Sequence, residues 1–273
     1  MKIKNFDFKF HNVLFFGQYW QPKKVKAIVI ILHGLGEHLG RYEHVAKKLC
    51  TNYFGVLIFD NFGHGKTKGK RGHNPGYNHV INCIDKLIEQ AKNIFNEKPI
   101  FLYGHSMGGN VVLNYVLRKS NNIRGVIATS PFLKLAFSPP AWKLFLAKIV
   151  QKIAPSLTLG NEIDPNDISR DSVEVKNYIE DPLVHNKVSS NFSLSFINSG
   201  SWAIANASTL KTPVFLLHGT EDKIIHFKGS EAFANNTEKA SLKLYEGGYH
   251  ELHNDLCKDQ VLSDIINWLK SKI

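Results

Sequence analysis

The stretch Tyr103-Gly104-His105-Ser106-Met107-Gly108-Gly109 constrains this chain more than any other part of it. An apolar run, Pro99-Ile100-Phe101-Leu102, precedes it, and a helical pattern from Val111 to Leu117 follows. A strand, a sharp turn and a helix are the surroundings in which a G-x-S-x-G turn raises a serine hydroxyl above a sheet. Gly104 and Gly108 stand where strand and helix pass too close for a side chain. The helix also aims its first N–H groups at the same spot, which favours negative charge developing there. A pattern this short also occurs by chance, and a glycine-rich turn without chemistry is the plain alternative. The flanking elements favour Ser106 as a nucleophile.

The rest of the chain supplies a matching frame. Alternating residues over 3–20 predict an antiparallel hairpin. Continuous apolar runs over 27–32, 55–60, 123–130 and 212–219 read as strands buried on both faces. Helical patterns over 42–50 and 78–96, and after the elbow, alternate with them. That rhythm predicts a mostly parallel sheet covered by helices on both sides. It breaks after Pro131. Residues 131–209 hold no buried-strand pattern, only an apolar helix over 141–153, a polar loop over 161–171 and further short helical segments. They are expected to form a helical cap inserted between two parts of one core, 1–130 and 210–273. A helix over 228–235, a last strand over 241–245 and a closing helix over 260–270 complete the core.

In a parallel sheet the loops at the carboxyl ends of the strands collect function. A serine hydroxyl needs a base within hydrogen-bond reach, and the base needs an orienting carboxylate. Behind a G-x-S-x-G elbow the chain order is serine, acid, histidine. Asp222 follows the strand that ends at His218-Gly219, and His250 follows the next strand and the Gly247-Gly248 loop. Glu221 is the rival for the acid, and His253, His226 and His218 are rivals for the base. The oxyanion of an acyl-transfer intermediate needs two N–H donors. Met107, next to the nucleophile, is one, and Leu35 in His33-Gly34-Leu35-Gly36 is the other. His33 is expected to hold that loop in shape.

The 273 residues carry a formal net charge of +11, which fits nucleic acid, an anionic membrane surface or plain solubility. No nucleic-acid motif accompanies it. Three scattered cysteines, Cys50, Cys83 and Cys257, argue against a disulfide framework and fit a reducing compartment. No signal peptide and no membrane-spanning run is read from the sequence, which predicts a cytoplasmic protein. Over 141–153, Trp142, Phe145, Leu146, Ile149 and Ile153 share one helical face, flanked by Lys143, Lys148 and Lys152. Two outcomes stay open for it: packing on the body, or peripheral contact with an anionic membrane.

Several segments together resemble the monoacylglycerol lipase family of α/β-hydrolases. They are His33-Gly34-Leu35-Gly36-Glu37-His38, Arg41-Tyr42, Asp60 with Gly63-His64-Gly65, Gly104 to Gly109, Asp181-Pro182-Leu183-Val184, His218-Gly219 with Asp222, and Tyr249 to His253. The resemblance runs from about residue 10 to the C-terminus. It implies an α/β-hydrolase fold, Ser106, Asp222 and His250 as catalytic triad, Leu35 and Met107 as oxyanion donors, and 131–209 as a lid. It implies a serine ester hydrolase for single-chain lipid esters, above all monoacylglycerol, with no cofactor and no metal. Lysophospholipase or general carboxylesterase activity is the alternative within the class. A ligand-binding protein that keeps the pocket is the alternative outside it. The chain departs from the pattern at Asn110, where small residues are common, in the lysine-rich loop after Gly65, and in the cap. With a histidine base, turnover is expected to fall on the acid side near an ordinary histidine pKa, roughly 6–7.

Overall fold

The continuous apolar runs form the centre of an eight-stranded sheet. The computed structural model describes residues 1–120 and 122–273. The strands are β1 (Lys2–Phe10), β2 (Val13–Gln21), β3 (Ala27–Leu32), β4 (Phe54–Phe59), β5 (Ile100–His105), β6 (Ile123–Thr129), β9 (Val214–Gly219) and β10 (Ala240–Tyr245). A short ribbon, β7 (Thr158–Gly160) and β8 (Lys187–Ser189), lies outside the sheet. The spatial order is β1-β2-β4-β3-β5-β6-β9-β10. The hairpin β1–β2 runs antiparallel, β2 is antiparallel to β4, and all later pairs are parallel.

Every residue of β3, β4, β5 and β9 is buried, which is why these strands read as unbroken apolar runs. Alternate residues feed two cores. Ile28, Ile30, Leu57 and Leu102 face α2 (Tyr77–Phe95) and α3 (Met107–Arg118). Val29, Ile31, Val56 and Phe101 face α1 (Glu43–Thr51) and α8 (Lys258–Lys270). Each such side chain contributes about 1.5–3 kcal/mol by leaving water. The parallel strands all end on one edge, so the loops after β3, β5, β9 and β10 open on the same side.

Between β6 and β9 the chain adds no strand to the main sheet. It forms α4 (Ala141–Ile153), α5 (Ser172–Glu180) and α6 (Ser190–Asn206), together with the β7–β8 ribbon. Two features differ from the sequence reading. The ribbon has three residues per strand, too few to show a period. The last of the short helical segments is a helix of 17 residues, α6. Its serines and asparagine mask it, because these residues have low helix propensity. In place, Ser195, Ser199 and Ser201 donate back to carbonyls one turn earlier, as does Asn206, so these four side chains are satisfied within the helix. No residue of α4 is buried.

Candidate active site

Ser106 sits between β5 and α3 with φ 51° and ψ −112°, a conformation that a non-glycine residue adopts at a cost of about 1–3 kcal/mol. Its own backbone holds it there. The Ser106 N–H donates to Thr129 O at 2.9 Å, and its carbonyl accepts from Phe132 N at 2.9 Å and Asn110 N at 3.0 Å. Gly108 shows how closely the elbow is built. A Cβ there would lie 2.0 Å from the carbonyl oxygen of Leu32. Met107 opens α3, so its N–H is one of those with no partner inside the helix.

The loop after β3 comes up beside the serine. A Cβ on Gly34 would stand 3.4 Å from Ser106 Cβ, and Leu35 lines the same cavity as Ser106. His33 holds this loop from within. Its Nε2 accepts from Asn61 N at 2.9 Å, and its Nδ1–H donates to Gly34 O at 2.7 Å. Burial pushes its pKa down to about 3, so the ring stays neutral.

Asp222 and His250 meet across the loops after β9 and β10. His250 Nδ1 donates to Asp222 Oδ2 at 2.7 Å, which leaves Nε2 as the basic nitrogen. Asp222 is held by three more donors: Ile224 N and Ile225 N at 2.9 Å each, and His218 Nε2 at 3.1 Å. Burial alone would raise the Asp222 pKa. The positive character of His250 and the hydrogen bonds from His218 and His250 outweigh it and hold the carboxyl far below the usual range. For His250, burial works to lower the pKa, but Asp222 outweighs it and raises the group above 6.5. Ser130 Oγ fixes the main chain here by donating to His250 O at 2.7 Å.

The rivals lie elsewhere. Glu221 is exposed. His253 is fully buried, stacked on Tyr42 at 4.6 Å, and neither of its ring nitrogens has a partner among the described residues. His226 packs against Phe227. His218 is close to the pair but acts on Asp222, with its Nδ1 accepting from Ser230 Oγ at 2.8 Å.

A second polar cluster escaped the sequence reading, although its residues sit in the segments that carry the family resemblance. Arg41 donates to Glu251 and faces Glu37 at 3.5 Å, with the Tyr178 ring 4.9 Å from its guanidinium carbon. One Glu37 oxygen accepts from Gly34 N and from Tyr42 OH, so this carboxylate braces the Gly34–Leu35 turn. Burial, and then the Glu251 charge, push the Glu37 pKa up to about 7 against the pull of Arg41. Glu37 and Arg41 are one helical turn apart in sequence, which was a usable signal. Glu251 is 210 residues from Arg41, and nothing local announces that pairing.

Ser106, His250, Leu35 and Glu37 all line one cavity of about 530 Å³. Its far walls are mostly apolar: Trp142, Leu146 and Val150 from α4, Phe192 and Ile197 from α6, and Phe132. The volume lies in the range of small-molecule sites.

Residues 23–257 match the family described as serine aminopeptidase, S33. Rat monoglyceride lipase is 31% identical over 94% of this chain and 87% of its own length. An uncharacterized abhydrolase domain-containing protein of Dictyostelium discoideum is 38% identical over 93% of this chain, which spans 27% of that longer protein. The crystal structure of Paleococcus ferrophilus monoacylglycerol lipase matches with a TM-score of 0.87 and 34% identity, over the whole of both chains. A strained serine turn between strand and helix on a parallel sheet and a sequence kinship spanning nearly the whole chain thus agree: the chain belongs to the serine aminopeptidase S33 family and is a serine hydrolase of the α/β-hydrolase fold, kin to the monoacylglycerol lipases.

Proposed function

We propose that this hydrolase cleaves monoacylglycerol to fatty acid and glycerol through an acyl-enzyme on Ser106. The observation that carries the reading is a buried His250–Asp222 pair and Ser106 on the wall of one largely apolar cavity. Ser106 Oγ attacks the ester carbonyl while His250 Nε2 takes its proton. The N–H groups of Leu35 and Met107 receive the oxyanion. His250 then gives the proton to the leaving glycerol oxygen. Water, activated by the same base, releases the fatty acid. Asp222 keeps the imidazole in the right tautomer and stabilises its charged form. Residues 131–209 act as the lid, with α4 and α6 as the acyl-facing walls.

The family description raises a peptidase reading, and one observation bears on it. Glu37 and Glu251 face the cavity, and carboxylates are what a free amino terminus seeks. Both are engaged by Arg41, whose single positive charge offsets one of the two carboxylates. An apolar cavity fits an acyl chain better than a peptide backbone, whose polar groups need partners. The three cysteines are free among the described residues, which fits a reducing compartment such as the cytoplasm. No helix among the described residues is long and apolar enough to cross a membrane. Contact with lipid would be peripheral, through α4.

Turnover of monoacylglycerols, lysophospholipids, short p-nitrophenyl esters and an aminoacyl anilide tests the reading. Monoacylglycerol is expected to give the highest kcat/KM. Ser106→Ala should lose on the order of 10⁴–10⁶ in kcat and all labelling by a fluorophosphonate, with the fold intact. Faster turnover of the anilide, or a Ser106→Ala variant that keeps its activity, would falsify it.

A further inference from the structure

The helix that starts at the nucleophile carries a buried polar stripe that the reaction does not use. Asn110, Asn114 and Arg118 follow one another at single-turn spacing on α3, and both asparagines are fully buried. Every group of the Asn110 amide is employed. Two carbonyls, Phe132 O at 2.7 Å and Phe196 O at 3.3 Å, face one end, so that end is the NH₂. The other end accepts from Tyr77 OH at 2.5 Å. One side chain thus ties together α2, the first residues after β6, and α6. One turn further on, Asn114 donates to Ser199 O at 3.2 Å and accepts from Arg118 Nε at 3.0 Å. The Arg118 guanidinium lies over the Trp202 ring, 3.6 Å from its centroid.

These anchors sit under the cavity wall. Phe132 lines the cavity and is held twice from α3: its N–H donates to Ser106 O at 2.9 Å, and its carbonyl accepts from Asn110. Phe196 stacks on Phe192 at 4.4 Å, and Phe192 also lines the cavity. Tyr77 meets the same Phe196 ring edge-on at 5.1 Å. Phe132 is thus tied to Ser106 both directly and through the Asn110 amide, and the same amide ties in the Phe196–Phe192 stack. A buried amide with all its bonds made has a single arrangement, whereas an apolar contact slides.

We infer that Asn110 is a positioning residue that fixes the aromatic floor of Phe132 and Phe192 relative to Ser106 and so sets the preference for long over short acyl esters. The inference rests on reading the cavity as the acyl site. Without the amide, the Phe132 and Phe196 carbonyls lose their donor and the floor shifts to find others. A long chain feels that shift along its whole length, and an acetyl group feels little of it.

The test compares kcat/KM for p-nitrophenyl laurate and p-nitrophenyl acetate, with melting temperatures alongside. Asn110→Ala is expected to lower the laurate-to-acetate ratio about tenfold, the size of a misfitted apolar pocket contact. Asn114→Ala, equally buried, leaves the Asn110 bonds to Phe132, Phe196 and Tyr77 in place and removes only a long 3.4 Å contact to Asn110 Oδ1 besides its bonds to Asn110 O, Ser199 O and Arg118, so it should lower the melting temperature and leave the ratio within about twofold. Tyr77→Phe removes the hydroxyl that donates to Asn110 while keeping the ring against Phe196, and should shift the ratio in the same direction by a smaller factor; it decides the matter if Asn110→Ala does not fold. An unchanged ratio in a folded Asn110→Ala, a uniform loss on both esters, or an equal shift in Asn114→Ala would overturn the inference. A parent enzyme with no preference for laurate would instead sink the acyl-site reading itself, and this inference with it.

Discussion

His218 Nε2 lies 3.1 Å from the same Asp222 oxygen that His250 Nδ1 contacts at 2.7 Å. Two imidazoles thus share one carboxylate oxygen, and only one of them lines the cavity with Ser106. His218 is fixed by Ser230 on its other side and by Ile225 O at 3.0 Å, so it steadies the acid. Loss of one hydrogen bond to a charged group costs about 1.5–3 kcal/mol, which bounds the effect of His218→Gln at roughly 10–100-fold in kcat. His250→Ala should cost on the order of 10⁴–10⁶. Steady-state kinetics of the two variants checks the assignment. If the two losses were equal, the choice of His250 as base would not stand.

The pH dependence follows from the same contacts. In the proposed mechanism His250 accepts a proton from Ser106 only when neutral, and Asp222 raises its pKa above 6.5 despite burial. Protonation removes the base, so kcat/KM should fall as pH drops through that raised value. The half-point of the acid limb is expected above 6.5. In Asp222→Asn the raising charge is gone and burial remains, so the limb should move to lower pH while kcat falls by about 10⁴. A limb that stays in place in Asp222→Asn would show that another group titrates.

The elbow should be intolerant of even one methyl group. In Gly108→Ala the new Cβ would lie 2.0 Å from Leu32 O, which is backbone of the central strand β3 and cannot rotate away. Overpacking in a core costs about 1–3 kcal/mol when side chains can yield, and more when they cannot. The expected result is a sharp fall in melting temperature together with lost labelling by a fluorophosphonate. A variant as stable as the parent would mean that α3 can move off the sheet.

What was legible in the sequence divides along physical lines. Strands β3, β4 and β9 are buried on both faces, so their apolar runs stand out and their ends can be read to within two residues, whereas β5 runs three residues past its apolar run into the elbow. Ser106 and Asp222 stand in the loops just after two of these strands, and His250 follows the partly buried β10, so their types and order were visible. The Arg41–Glu251 pair was not, since it joins loops after β3 and β10 that only the folded sheet brings together. Asn110 was visible as a departure from the family pattern, but its partners on α2, on the exit from β6 and on α6 were not. Helix α6 was hidden because its polar residues bond within it instead of marking a turn.

The exposed face of α4 carries the last prediction. Trp142, Phe145 and Ile153 are 61%, 64% and 79% exposed, and Leu157 and Leu159 extend the apolar surface beyond the helix. Leu146, Ala147 and Val150 of the same helix line the cavity, and Trp142 stands at its edge, so one element touches both the proposed acyl site and solvent. An apolar face bordered by lysines suits the boundary between headgroups and acyl chains. Lys143 is engaged by Glu162 at 3.0 Å, so Lys148 and Lys152 carry the electrostatic part, each contributing roughly 1 kcal/mol near an anionic surface. Binding to phosphatidylserine-containing vesicles should therefore exceed binding to phosphatidylcholine alone and weaken with salt. Trp142→Ser and Phe145→Ser should reduce binding to both while shifting the unfolding free energy by no more than about 0.5 kcal/mol, as exposed sites do. Turnover of vesicle-borne long-chain monoacylglycerol should fall more than turnover of p-nitrophenyl acetate. Equal binding to the two vesicle types would remove the lysine contribution, and unchanged binding in both variants would remove the aromatic one, leaving α4 as a wall of the acyl site only.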